Sequence, residues 1–185
     1  MKLIILMVAT LFTCSVYADS FFNIGFTSAP EGHAYNIGYV SPAFYNKPLK
    51  TKTVLNLKMF ADVQNITSPN LLMENSKFKK TDYTLLTVGP RIDFQYNSNH
   101  FGILEVAPTY LLDAGGLADD NGVGLRIGFG YGIKLHDNSQ GSMFKSQYAI
   151  IKMDKVFQLN KADKLSTKPD VFNGAYITIG LGLNY

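Results

Sequence analysis

The sequence predicts one all-β domain: an eight-stranded antiparallel transmembrane β-barrel following a cleaved signal peptide. Three observations predict it. Alternation with period two recurs eight times after residue 18, the mark of strands whose two faces meet different surroundings. No apolar run of eighteen or more and no sustained i, i+3, i+4 stripe occurs there, so a spanning helix is excluded. The polar face of the alternation is small and ionic, whereas the apolar face is large and aromatic.

Residues 1–18 read as the signal. Lys2 supplies the positive start, Leu3 to Val16 the apolar stretch, and Val16-Tyr17-Ala18 a small-residue site before Asp19. The apolar stretch is shorter than the ~20 residues of a spanning helix. Cys14, the one cysteine, lies inside this segment. From Asp19 onward there is then no thiol nucleophile, no Cys-ligated metal and no disulfide.

Strand one covers about 20–27, with Phe22, Ile24 and Phe26 opposed to Asn23, Gly25 and Thr27. Strand two, about 34–40, sets Tyr35, Ile37 and Tyr39 against Asn36 and Gly38. Strand three, about 52–63, sets Leu55, Leu57, Met59, Ala61 and Val63 against Asn56, Lys58, Phe60 and Asp62. Strand four, about 83–96, carries Leu86, Val88, Ile92, Phe94 and Tyr96 on one face and Thr87, Gly89, Arg91, Asp93 and Gln95 on the other. Strand five, about 101–112, opposes Leu104, Val106, Tyr110 and Leu112 to Ile103, Glu105, Ala107 and Thr109.

Strand six is the clearest. From Val123 to His136, the series Val, Leu, Ile, Phe, Tyr, Ile, Leu alternates with Gly, Arg, Gly, Gly, Gly, Lys, His. Strand seven, about 146–158, is blurred by adjacent Ile150 and Ile151, although Lys152 and Asp154 share one parity and Ile151 and Met153 the other. In the last strand Ile177, Ile179, Leu181, Leu183 and Tyr185 alternate with Thr178, Gly180, Gly182 and Asn184.

An even strand count suits an outer-membrane barrel with both ends on one side. Connection lengths follow: outer loops at about 64–82 and 159–175 are long, and the inner turn Asn97-Ser98-Asn99-His100 is tight. The short first outer loop (about 28–33) and the long first inner turn (about 41–51) depart from that asymmetry.

Bulk decides which face is out. A barrel of eight strands has room inside only for side chains. Glycines and a few ions fit there, and seven large apolar residues from strand six do not. A one-residue slip would carry Arg126 and Lys134 to the lipid face at up to ~2–4 kcal/mol each, so register is strongly set. Tyr39, Tyr96, Tyr110, Tyr131 and Tyr185 suit interfacial girdles.

Composition narrows the function classes. The chain is 46% hydrophobic and 17% charged with net charge +3, which excludes a disordered chain and a nucleic-acid footprint. The polar face collects Lys58, Arg91, Arg126, Lys134 and Lys152 against Asp62, Asp93, Glu105 and Asp154. Nearly balanced charge in a narrow interior is expected to pair and fill it, since an unpaired buried ion is very costly. The second outer loop carries Lys77, Lys79 and Lys80, and the fourth Lys161, Lys164 and Lys168, point charges suited to lipopolysaccharide phosphates. Asp119, Asp120 and Asn121 in the third are read as a turn, so no metal or cofactor is expected.

The ending Tyr176-Ile-Thr-Ile-Gly-Leu-Gly-Leu-Asn-Tyr185 resembles the terminal strand of Gram-negative outer-membrane proteins, alternating and closing on an aromatic. In size, strand number and terminus, residues 19–185 resemble the small OmpA/OmpX-type barrels. The resemblance implies outer-membrane location and recognition of the Tyr185 end by the barrel-assembly machinery.

Small barrels also include lipid A deacylases and acyltransferases, whose chemistry needs a Ser beside a His base. His33, near Ser28 and Glu31, is the one candidate base. Its parity matches Tyr35 and points it away from the lumen. The His-x-Ser that the resemblance to the deacylases requires is absent where Phe157-Gln158-Leu159 stand, and Asp62 precedes Val63 where an acyltransferase has Ser. The expectation is therefore a non-catalytic barrel with a closed, salt-bridged lumen. Its outer loops serve an envelope-structural or surface-interaction role, meeting membrane lipid, lipopolysaccharide or an extracellular ligand. The alternatives are a lipid A-modifying enzyme and a narrow ion channel.

Overall fold

The computed structural model describes residues 20–29, 32–49, 52–74, 77–113, 122–137, 145–159 and 175–184, with backbone only at 68–74, 77–83, 112, 113, 137 and 158. The signal segment, the third and fourth outer loops and Tyr185 lie outside them. Nine strands follow in order: β1 (Phe21–Ala29), β2 (Gly32–Val40), β3 (Tyr45–Pro48), β4 (Val54–Glu74), β5 (Lys77–Gln95), β6 (His100–Asp113), β7 (Val123–Asp137), β8 (Ser146–Gln158) and β9 (Ala175–Asn184). Eight of them close into an antiparallel barrel in the order β2-β1-β9-β8-β7-β6-β5-β4, and β2 pairs with β4 to complete the ring. Closure gives every barrel strand a neighbour on each side, so no edge is left to pair at random.

The register is staggered. From Asn23 the pairs run through Gly38, Asp62, Thr87, Thr109 and Gly124 to Gln158. The other way round they run through Gly182 to Tyr148, ten residues earlier on β8. That offset tilts the strands and brings inward side chains from distant strands to one height.

Alternation resolves as expected from the parity, polar inward and apolar outward. Ile24, Ile37, Phe129, Ile151 and Leu181 are exposed, and Tyr35 and Ile179 are about two-thirds so, at 67% and 64%. Lys58, Asp62, Arg91, Asp93, Glu105, Arg126, Lys152 and Asp154 are buried. Among the described barrel-strand side chains, Lys155 is the one Asp, Glu, Lys or Arg that points outward. It sits near the end remote from the termini, its Nζ 5.1 Å from the Phe157 ring. The faces of β8 separate cleanly: Ile150 is buried and Ile151 exposed.

Two apolar layers bracket the ions. At the far end, away from Phe21 and Asn184, seven strands contribute Ala29, Ala34, Ile66, Leu85, Leu111, Val156 and Tyr176 to a packed cap. β7 brings buried Gly124 to this end instead. Toward the terminal end Phe21, Val40, Phe60, Phe101, Ile103, Ala107 and Ile150 form a second cluster.

Three expectations are corrected. The first inner turn is not plain turn: β3 pairs with the start of β4, from Tyr45↔Leu57 to Pro48↔Val54. The second outer loop is not a loop from 64. β4 and β5 keep pairing to Glu74↔Lys77, across a register shift between Ser68 and Leu72. Past Thr67, where β2 ends its pairing, the two strands form a ribbon of their own. Apolar alternation stops there, but backbone pairing needs no apolar face. Lys77, Lys79 and Lys80 thus belong to β5. Finally, His100 opens β6 instead of closing the tight turn, which Asn97 Oδ1 caps by accepting from the Asn99 and His100 N–H groups at 2.8 and 2.9 Å.

A β-carbon added at Gly128 would overlap the Asp154 carboxylate. Gly128→Val should therefore lower the free energy of unfolding by about 1–3 kcal/mol through overpacking. Urea titration followed by circular dichroism checks this, and an unchanged midpoint would contradict the packing described.

Candidate functional site

The inward ions assemble in two linked groups. Nearer the termini, Arg91 on β5 donates from Nε to Asp93 Oδ1 at 2.6 Å and from Nη1 to Glu105 Oε1 on β6 at 3.3 Å. Lys58 on β4 approaches Asp93 Oδ2 to 3.1 Å. Register explains this group, because Lys58 pairs with Arg91 and Arg91 with Glu105 on adjoining strands. Ring faces complete it: the Arg91 guanidinium carbon lies 4.9 Å from the Phe21 centroid and Lys58 Nζ 5.4 Å from it. Such placement suits a cation over the negative face of an aromatic ring.

Deeper in, Arg126 on β7 crosses the lumen. Its Nη1 donates to Asp62 Oδ2 on β4 at 2.7 Å, and Nη2 to Asp154 Oδ2 on neighbouring β8 at 2.8 Å. Asp62 also accepts from Asn36 Nδ2 on β2 at 3.2 Å. Glu105 joins the groups: Lys152 Nζ donates to its Oε2 at 3.1 Å, and Arg126 Nη2 stands 3.9 Å from the same oxygen. Hydroxyl pairs Thr27–Thr178 (2.7 Å) and Thr87–Thr109 (2.9 Å) tie further strands at this depth.

Eight of the nine lumen ions singled out by parity therefore meet in one network of four cations and four carboxylates. Lys134 does not join them. It lies at the terminal end, partly exposed, where the inward face of β7 opens toward solvent. The hydroxyl and amide residues Thr27, Asn36, Thr87, Thr109 and Thr178 were not singled out beforehand. Their shared parity with the ions was the available signal.

Buried charge of this kind is held by completeness. Removing one partner leaves an uncompensated buried ion at about 3–5 kcal/mol, although the whole set can be exchanged for apolar groups near neutrality. The arrangement has the chemistry of a filled core. Each of the eight network ions already holds a counter-ion, and a cluster of apolar side chains packs on the far side of them.

The other candidates lie apart. His33 is exposed on the outer wall, directly across the β1–β2 pair from Ser28, and its ring stacks on Phe26 at 5.9 Å. His100 shares a hydrogen bond of 2.8 Å with the Tyr131 hydroxyl at the terminal end. Lys161, Lys164, Lys168 and Tyr185 lie outside the described residues, and the side chains of Lys77, Lys79 and Lys80 are not among those described. Among the described residues, no three His, Asp or Glu side chains converge to hold a metal ion.

Arg126→Ala should cost about 3–5 kcal/mol of unfolding free energy, because it strands Asp62 and Asp154. Arg126→Met combined with Asp62→Asn and Asp154→Asn should recover most of that loss in the same urea titration. If the triple variant is no better than the single one, the pairing is not what Arg126 supplies. Comparison with known proteins adds no relative: no family model matches this chain, and neither do curated proteins or solved structures.

Proposed function

We propose that this chain is an integral outer-membrane barrel, non-catalytic, whose closed interior anchors outer loops in an envelope-structural or surface-interaction role. The observation that carries the reading is the inversion of polarity. Isoleucine, valine, leucine and aromatic side chains face out around the whole barrel, and the ions face in. A water-soluble protein gains nothing from that arrangement, whereas a bilayer makes it the only one affordable. Aromatic residues toward both ends of the belt, Tyr39 and Tyr96 at one and Tyr35 and Tyr110 at the other, fit the two interfaces. The far cap and the paired ions favour a plugged barrel over a channel.

In this setting the signal segment directs export, the Tyr185 end engages the barrel-assembly machinery, and the far end faces outward. The β4–β5 ribbon, with Lys77, Lys79 and Lys80, and the connection holding Lys161, Lys164 and Lys168 are then the surfaces offered to lipopolysaccharide or an extracellular ligand.

Ile179→Lys separates a lipid face from a wet one. Midway along β9, the ammonium should cost about 2–4 kcal/mol for a barrel folded into phospholipid vesicles. On a water-exposed surface it would change stability by no more than about 0.5 kcal/mol. A neutral result in vesicles sinks the membrane reading. Replacing Lys161, Lys164 and Lys168 together by Gln should leave stability unchanged and reduce the lipopolysaccharide retained on the purified protein. Equal retention would remove that connection from the proposed role.

A further inference from the structure

Lys155 stands apart from the wall that carries it. Among the described barrel-strand side chains it is the one charged group that faces outward. Phe157 and then Leu159 are exposed beyond it toward the far end, so its backbone lies inside the apolar belt and not at the rim. In a bilayer an ionisable group at that position is costly, and it marks a site whose partner must be named. The ammonium is drawn toward the far end, with Nζ 5.1 Å from the Phe157 ring centroid. A long stem laid on apolar surface carries the charge to the interface, where lipid headgroups stand.

The wall beside it changes chemistry over two strands. On β1, β2 and β4 the apolar face ends at Phe26, Tyr35 and Val63, and the next outward residues are Ser28, His33 and Asn65, all exposed. On β8 the face stays apolar past Lys155. β9 lies at the step, and its outward residue there is the exposed Ala175. Register fixes the order. Lys155 pairs with Ala175, and Ile177, the next outward residue on β9, pairs with Ser28. His33 bounds the strip as the partner of Ser28 on β2. Strands stand ~4.8 Å apart, so an ammonium and a hydroxyl flank a low point of the wall by one strand on either side. Below Ala175, Ile177 and Ile179 are exposed and continue as an apolar track along β9.

A cation and a hydroxyl above an apolar track match a phosphate joined to hydrocarbon. Phosphate oxygens accept from both groups, while a free anion would gain nothing from the isoleucines. One ammonium matches the single charge of a phosphodiester better than the several charges of a lipid with multiple phosphomonoesters. We propose that the far end of the β8–β9–β1 wall binds a membrane phospholipid. Its phosphate lies between Lys155 and Ser28 over Ala175, and an acyl chain follows Ile177 and Ile179. The site rests on the membrane reading above and adds to it the class of lipid held and the residues that hold it.

The full chain, folded in dodecyl maltoside, is titrated with dioleoyl phosphatidylglycerol, and the lipid-bound fraction is measured by native mass spectrometry. Dioleoyl glycerol, with the same chains and no phosphate, should bind on the order of tenfold more weakly. Lys155→Gln should weaken the phospholipid on the order of tenfold and leave dioleoyl glycerol unaffected. Ser28→Ala should weaken it by about threefold. Lys155→Arg should bind within about twofold of the unaltered chain, because a guanidinium also serves phosphate. All three variants should keep the heat-resistant gel migration of a closed barrel, which separates loss of the site from loss of the fold. Equal affinity for the two lipids overturns the proposal. So does inorganic phosphate or lipid A displacing the phospholipid as well as added phospholipid does. If Lys155→Gln binds as the unaltered chain while Ile179→Lys is costly in vesicles, this site falls and the membrane reading stands. A neutral Ile179→Lys in vesicles sinks both.

Discussion

Arg126 is the interaction on which the interior depends. Its guanidinium reaches from β7 across to Asp62 on β4 and sideways to Asp154 on β8, and so ties β4 to two strands with which it shares no backbone ladder. A planar group with five donors can bridge two carboxylates in fixed directions, which an ammonium cannot do. Both carboxylates stand over glycine. Asp62 is the register partner of Gly38, and Asp154 that of Gly128. A β-carbon at Gly38 would come 3.1 Å from Asp62 Oδ1. Lys152 likewise faces Gly130, and Glu105 faces the other side of Gly128. The inward glycines are thus the volume into which the ions fit, and the two residue classes specify each other.

The stagger makes this possible. With ten residues of offset around the ring, inward positions close in height are far apart in the chain, and each ion finds partners on more than one strand. Paired charge in a buried core is a poor source of net stability against an apolar core of the same volume. It is a good source of specificity. A strand shifted by one residue would strand its ion outside and push a leucine or phenylalanine into a space shaped for glycine. In the bilayer setting proposed here both errors are costly at once, so a single register survives.

This logic also explains what the sequence disclosed and what it hid. Strand positions and faces were legible because each inward residue differs from its neighbour in size as well as polarity, as in Leu125-Arg126-Ile127-Gly128-Phe129. Even β8 was readable from Ile151-Lys152-Met153-Asp154, despite the adjacent isoleucines. The membership of the ionic network was legible from parity, but its pairings were not. Arg126 meets Asp62 and Lys152 meets Glu105 only through the closure and stagger of the sheet, which leave no trace in local pattern. β3 was hidden because Tyr45-Asn46-Lys47-Pro48 is short, polar and ends in proline, the composition of a turn. The β4–β5 ribbon was hidden because apolar alternation stops past Thr67, whereas its backbone pairing leaves no mark in side-chain pattern.

The same reasoning locates where function has room to vary. Along the barrel wall nearly every side chain is accounted for by packing: bulk outward, ions against glycine inward, a cap of seven apolar residues at the far end. A substitution there is answered first by stability, so these positions carry little freedom for recognition. The ends are different. Lys134 and Lys145 stand at the rim of the terminal end, outside the packed core. Among the described residues the ribbon past Thr67 pairs with no other barrel strand, yet its backbone pairs are kept to Glu74. Structure maintained beyond what closure requires is where binding is to be sought.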